Sequence, residues 1–488
     1  MSRLLAGKLA LARAVGAASR MRGGGATSAP GKTLLRLQPD AIGLLGARLE
    51  RGSVVVSATN GKTTTAALAA AILERAGVRL VHNRAGANMA GGVASTLLAA
   101  TRGRGIAGEL GLFEVDELWL PRLTEELRPR AIVLSNLFRD QLDRYGELET
   151  IAEHWAATLH GSAGSRAQLV CNADDPLVAD LGRQRSQTVY FGVQDDSLAL
   201  PSMAHAADAK HCRRCGAPYE FEVVYLGHLG RYHCPSCGQR RPVPTVLARE
   251  VELEGVRSAR FVLSVPEGEA EVKLALPGLY NVYNALAAAA LAVTLEIPLA
   301  RIMEGLQGTT AAFGRAERVT VGGRDARILL IKNPAGANEV LRTLALEPGR
   351  HDLLGVLNDH TADGHDVSWI WDADFELLAG RVGTVTCSGT RAPELALRFK
   401  YAGIETERIH VVEDLPHALA SAATRAPAAA RTDTSSLEQG TGAGAGANTK
   451  PGTGAPLQAP LYVLPTYTAM LELRELLVAR GEAHSSWQ

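Results

Sequence analysis

Short apolar runs separated by helical stretches set the pattern of this chain. The runs lie at 54–58 (VVVSA), 79–83 (RLVHN), 110–116 (LGLFEVD), 131–136 (AIVLSN), 167–172 (AQLVCN) and 188–193 (TVYFGV). Runs of this length, apolar on both faces, predict strands buried inside a parallel sheet. Between them the apolar residues recur at helical spacing, as in TTTAALAAAILERAG (63–77) and GGVASTLLAATR (91–102). Alternating strands and helices predict an α/β fold. AREVELEG (248–255) and ARFVLSV (259–265) continue it, before the alanine-rich helical stretch NVYNALAAAALAVTLE (281–296).

Beyond about residue 315 a second alternation begins with ARILLI (326–331) and runs through ANEVLRTLAL, DLLGVLND, GTVTCSGT, PELALRFKYAG and RIHVVED. It predicts a second, smaller, Rossmann-like open sheet, wound on both faces. Residues 426–459 are rich in Gly, Ala, Thr and Pro and have little to bury, so a disordered loop is expected there. A last strand and helix follow in PLYVLPTYTAMLELRELLVARG (460–481). The expected organisation is a helical lead-in at 1–50, a central domain at 51–312 and a C-terminal domain at 313–488.

Composition narrows the partners. At 488 residues the chain is too long for one core, and 51 basic residues balance 51 acidic ones. Nothing global argues for nucleic acid. No run of about 18 uncharged apolar residues is present to span a bilayer. The first 22 residues hold five Arg/Lys and no acid. Charges interrupt every apolar run there, which excludes a secretory signal and leaves an amphipathic helix or a transit peptide. The chain reads as cytosolic.

Four of the six cysteines form C-x2-C-x18-C-x2-C: Cys212, Cys215, Cys234 and Cys237. Two such knuckles suit a tetrahedral zinc ion, with two disulfides as the alternative that a reducing cytosol disfavours. Short strands and Gly/Pro turns around them predict a zinc ribbon inserted at 208–242, structural because the block is only mildly basic. Cys171 and Cys387 lie in apolar strand-like runs, where a buried, inert thiol is expected.

The stretch SATNGKTTT (57–65) sits between a strand and a helix. A loop that cradles phosphates needs inward backbone N–H groups, a lysine and a hydroxyl for Mg2+. Thr59, Asn60, Gly61, Lys62, Thr63 and Thr64 offer these, although Val56 stands where the usual first glycine would be. Lys62 is expected to project from an exposed loop and to contribute little to packing. SAPGKT (28–33) contains the same GKT but follows no strand, and is a decoy.

TNGKTTT resembles the loop of the Mur ligases and folylpolyglutamate synthases, which activate a carboxylate as an acyl phosphate and couple it to an amine. Further stretches share the resemblance. FEVDEL places Glu114 where these ligases hold a Mg2+ carboxylate. NLFRDQLDRYG (136–146) resembles a segment in which Gln141 here replaces a histidine. NADDP (172–176) and LPGLYNVYNALAA (276–288) also match, and Asn281 falls at the adenine-recognising asparagine. FGRAERV (313–319) places Arg315 at the nucleotide-facing arginine of the interdomain hinge.

Ligases that act on UDP-linked precursors carry an extra N-terminal domain of roughly a hundred residues, for which a loop strand at residue 54 leaves no room, and they lack a zinc ribbon. The chain resembles the MurT family, ligase-like subunits of lipid II isoglutaminyl synthase. It rests also on NRAGANMAGG (83–92), KNPAGANEV (332–340), LNDHTADGHDVSWIWDADFE (357–376) and LPTYTAM (464–470). It implies ATP- and Mg2+-dependent amidation of the D-glutamate α-carboxylate of the lipid II stem peptide, at the inner face of the plasma membrane. Ammonia would come from a GatD-type glutamine amidotransferase partner, since neither Cys171 nor Cys387 lies in a nucleophile elbow. The resemblance also implies that an aspartate of this chain completes the partner's Cys-His pair. Asp366 is the first choice, ahead of Asp363 and Asp372; for each the plainer role is an N-cap or turn aspartate. A stand-alone amino-acid ligase, or a nucleotide-regulated zinc-ribbon binding protein without catalysis, are the rival readings.

Overall fold

The structure is a computed structural model and describes residues 3–21, 28–84, 87–140, 148–183, 185–203, 207–309, 315–424 and 459–483. The chain divides into two compact units, Met1–Ala311 with Asn333–Glu339, and Ala312–Lys332 with Val340–Ser486. The 426–458 stretch lies outside the described residues.

The strands of the first unit are β1 (Ser53–Ser57), β2 (Leu80–His82), β3 (Thr101–Arg102), β4 (Gly105–Ile106), β5 (Leu110–Glu114), β6 (Ala131–Leu134), β7 (Gln168–Asn172), β8 (Thr188–Val193), β9 (Glu220–Leu226), β10 (Leu229–His233), β11 (Val246–Glu254), β12 (Ser258–Val265) and β13 (Gly268–Leu274). Nine of them form one sheet in the order β13-β12-β11-β8-β7-β6-β1-β5-β2. From β2 to β11 the neighbours pair parallel. The run VVVSA becomes β1 because both of its faces are covered: Val54, Val55 and Val56 are wholly buried, each side chain contributing about 1.5–3 kcal/mol by leaving water. β12 and β13 extend the sheet antiparallel.

One face is covered by the helices Lys62–Arg75, Leu279–Thr294 and Leu299–Gln307, whose side chains join Val54, Val56, Leu112 and Val133 in one core. Leu279–Thr294 has no exposed residue. Its alanines let it lie close against Lys62–Arg75 and the sheet. The other face carries Arg3–Met21, Ala29–Leu37, Ala41–Gly46 and Ala90–Ala100, which bury Leu9, Leu34, Ile42 and Leu97. The GKT at 31–33 falls within Ala29–Leu37. There a Cβ on Gly31 would stand 1.9 Å from the Gly91 carbonyl oxygen, so that glycine serves helix packing.

The second unit holds β14 (Arg315–Val321), β15 (Arg324–Leu329), β16 (His351–Val356), β17 (Val382–Ser388), β18 (Ile409–Val411) and β19 (Leu461–Pro465), ordered β14-β15-β19-β16-β17-β18. Only β14 is antiparallel to its neighbour. Val319, Ile328, Leu354, Val463 and Leu473 lie in its core. The sheet is mixed, because β14 joins β15 through a hairpin at Gly322–Gly323, both at positive φ.

Candidate nucleotide site and four-cysteine centre

The loop leaves the carboxyl end of β1. The strand after β1 lies on one side of it, while the strand after the adjacent β6 lies on the other, so their loops diverge. Such a switch point is where open α/β sheets bind ligands. The loop is stitched to the segment that follows β6. Thr59 N–H donates to the Asn136 carbonyl at 3.0 Å, and Asn60 N–H to Asn136 Oδ1 at 2.8 Å. Asn136 Nδ2 returns a bond to the Asn60 carbonyl at 3.0 Å, and Phe138 N–H donates to Thr59 Oγ1 at 3.0 Å. Asn60 also exchanges amide hydrogen bonds with Asn333, in the 333–339 segment of the same unit, at 3.0 and 3.3 Å.

Gly61 turns the loop into the helix Lys62–Arg75 at φ 85°, a left-handed conformation that suits glycine. A Cβ there would meet Asn284 Oδ1 at 2.0 Å. Asn284 also accepts from Thr65 Oγ1 at 3.2 Å, tying the first turn of this helix to Leu279–Thr294. Asn281 supports that contact from behind. It is fully buried, its Nδ2 donates to the Pro277 carbonyl at 2.8 Å, and its Oδ1 accepts from Asn284 at 3.1 Å. The expected adenine contact therefore meets a side chain whose amide is engaged within the protein.

Lys62 departs from expectation. It is not an exposed loop lysine but 9% exposed, with Nζ 2.8 Å from Glu117 Oε2 and donating to the Ala58 and Thr59 carbonyls. Burial alone would depress its ammonium. Glu117, backed by the charges of Glu114 and Asp116, outweighs burial and holds its pKa above the ordinary 10.5. Glu117 lies in the same FEVDEL stretch, where the signal for it is the crowding of three carboxylates into four residues.

Glu114 closes β5 in register with Val56, one strand spacing from the start of the loop. It is buried, with Asn88 Nδ2 3.4 Å from Oε1. Thr63 lies half-buried in the first helical turn and Thr64 is buried. Hard oxygen donors of this kind suit Mg2+. Gln141 lies outside the described residues, as does the side chain of Arg315, whose backbone opens β14.

The four cysteines converge, with all Sγ atoms within 4.8 Å of one another. Cys212 and Cys237 are 3.6 Å apart, Cys215 and Cys234 3.4 Å. A disulfide would need about 2.05 Å, whereas tetrahedral Zn–S bonds of about 2.3 Å put sulfurs about 3.8 Å apart. The donor set fits zinc. A hydrogen bond from the Ala217 backbone, with the neighbouring thiols, draws Cys215 down to about 7. Burial pushes Cys171 and Cys387 up to about 12, so neither is an activated nucleophile.

In the second unit the candidate aspartates separate by environment. Asp363 is buried and accepts from Thr468 N–H at 2.8 Å and from the Thr468 hydroxyl, anchoring the helix Tyr467–Ala479. Asp366 is exposed and accepts from Ser368 N–H at 2.8 Å, and the Ser368 contacts hold its carboxyl below the usual carboxylate range. Asp372 is half-buried. Exposed Trp371 stacks edge-on with Tyr401, ring centroids 5.7 Å apart.

Residues 56–233 match the family described as Mur ligase middle domain, and residues 330–434 the one described as MurT ligase C-terminal. The chain is 33% identical over 459 residues to the lipid II isoglutaminyl synthase (glutamine-hydrolyzing) subunit MurT of Streptococcus pneumoniae, covering 94% of this chain and 93% of that one. It is 32% identical to the subunit of the same name from Staphylococcus aureus, over 81% of this chain and 87% of that one. Among solved structures, a pseudomurein peptide ligase type C from Methanothermus fervidus aligns with TM-score 0.62 at 23% identity, over 89% of this chain and 80% of that one. MurF ligase from Thermotoga maritima, in complex with ADP, aligns with TM-score 0.58 at 16% identity, over 93% and 84%.

Proposed function

The chain belongs to the MurT family of Mur ligase-like enzymes, and from that membership we propose that it amidates the D-glutamate α-carboxylate of the lipid II stem peptide, using ATP and ammonia from a glutamine amidotransferase partner. The observation that carries the reading is the loop at the β1/β6 switch point, with a buried lysine beside three carboxylates.

A carboxylate is a poor electrophile. Phosphorylation by ATP gives an acyl phosphate; ammonia attacks its carbonyl carbon, and inorganic phosphate leaves. The backbone of Thr59–Thr64 binds the nucleotide phosphates. Lys62, poised on Glu117, places positive charge where the transferred phosphoryl group develops negative charge. Thr63 and Glu114 would hold Mg2+, which neutralises phosphate charge when bound. Cys212, Cys215, Cys234 and Cys237 would hold a zinc ion whose role is structural. Ammonia at neutral pH is mostly ammonium, and the two cysteines outside the cluster are buried and unactivated, which favours a partner as its source. On this reading Asp366, exposed and with its carboxyl held below the usual carboxylate range, orients the partner's imidazole.

Among the described residues no helix is long and apolar enough to cross a membrane. On the proposed reading a lipid-linked substrate would be met at the inner membrane surface. ATP turnover with ammonium and a lipid II analogue, compared with free amino acids and with nucleic acid, tests the reading. Turnover stimulated by an amino acid and not by ammonium would replace it with a stand-alone ligase.

A further inference from the structure

The four-cysteine insertion reaches the segment that is hydrogen-bonded to the nucleotide loop. Its hairpin β9–β10 runs from the cysteine cluster to the two-residue turn Gly227–His228, in which Gly227 takes φ 57° in the first position, as type II′ turns require. At the cluster end Tyr232 packs with Cys212 and Cys234. At the tip, the fully buried His228 stacks on Phe138, ring centroids 4.6 Å apart, and a Cβ on Gly227 would stand 2.8 Å from Phe138 Cε1. Phe138 is the residue whose backbone N–H and carbonyl both meet Thr59 Oγ1.

The stretch 135–140 has no regular secondary structure, so part of its buried backbone depends on side chains for its hydrogen bonds. On one side these come from the loop. On the other, Leu137 N–H donates to Asp175 Oδ2 at 2.9 Å and Arg139 N–H to Asp208 Oδ2 at 2.9 Å. His228 touches both of those supports. Its Nδ1 accepts from Asp208 N–H at 3.4 Å, and its Nε2 faces Asp175 Oδ2 at 3.4 Å. The hairpin is rooted by Gly230 N–H on the Asp174 carbonyl at 2.9 Å and by Arg241 on the Asp174 carboxylate.

We propose that His228 is a positioning residue for the nucleotide loop, and that through this hairpin metal occupancy of the four cysteines is coupled to nucleotide affinity. This rests on the reading of residues 59–64 as the nucleotide loop.

The test uses the full chain with its partner subunit and a fluorescent ATP analogue. His228→Ala, with its four cysteines intact, should keep its zinc while its Kd for the analogue and its KM for ATP rise about tenfold, with kcat little changed. Chelating zinc from the wild-type protein should weaken analogue binding similarly, and restoring zinc should recover it. By linkage, saturating analogue should tighten zinc binding in the wild type and not in His228→Ala. Unchanged analogue affinity in zinc-loaded His228→Ala, or loss only in proportion to unfolded protein, would overturn the proposal. Should that variant not fold, the chelation arm decides: a zinc-free wild type that binds the analogue normally has no such coupling. Wild-type protein that binds no analogue at all would remove the nucleotide-loop reading itself, and this inference with it.

Discussion

Lys62 holds a buried ion pair in the fold and, on the proposed function, also supplies charge to the reaction. Removing one member of a buried ion pair costs about 3–5 kcal/mol, so Lys62→Ala is expected to abolish amidation and also to lower Tm. The double variant Lys62→Met, Glu117→Gln should regain most of the stability with no turnover; turnover there would exclude Lys62 from the phosphate site. The sign of the pH effect follows from the raised folded pKa. The pair's contribution is whole below the ordinary lysine value of 10.5 and is lost as pH rises through the folded value above it. The Tm gap between wild type and Glu117→Gln should hold through neutral pH and narrow above 10.5; a gap that stayed constant as Lys62 lost its proton would contradict the pairing. The glycine turn into the helix was legible in the sequence because turn geometry is local, whereas the burial of Lys62 was not. Glu117 was not, since its meeting with Lys62 depends on the parallel register of β1 with β5, which no neighbouring residue encodes.

At the scale of elements, the turn into Lys62–Arg75 tolerates little. Gly61→Ala places a Cβ on a backbone at φ 85° and against Asn284 Oδ1, with an expected cost of about 1–3 kcal/mol and loss of nucleotide binding. Pairing it with Asn284→Ala should relieve the clash but not the backbone strain, and recovery of full stability would show that strain was absent. For the cysteine ribbon, Cys212→Ser should lose the metal and lower the ribbon's melting temperature, because site formation and local folding are coupled; metal analysis finding no zinc in wild-type protein would end that account. Buried strands such as β1 and β6 were legible from continuous apolar runs. β13 was not: EAEVKL alternates charge on an edge strand, and only its pairing with β12 makes it part of the sheet. β14 was likewise hidden in a stretch read for its arginine.

For the molecule as a whole, the division of labour can be separated by nitrogen source. Asp366→Asn keeps size and hydrogen bonding while removing the charge that would stabilise an imidazolium. Glutamine-dependent amidation should fall by up to ~10^4, while activity with high ammonium survives. Equal loss with both sources would move Asp366 into the ligase site or the fold. Asp363→Asn should instead lower stability, since Thr468 and the start of its helix hang on that carboxylate. The aspartate-rich segment was visible in the sequence, but its three members looked alike there. Burial distinguishes them, and burial is decided by the packing of a helix a hundred residues away.

The helix Leu279–Thr294, buried at every position but the half-buried Tyr280 and Val293, has a further consequence. Amides in such an element exchange with deuterium only when the surrounding unit comes apart, so they should be among the last to label. Asn281 and Asn284, which brace Gly61 from below, stand on that helix. The loop thus rests on a floor that does not breathe. Its shape should be in place before any nucleotide arrives, leaving the binding energy to act on the phosphates rather than on folding the loop around them.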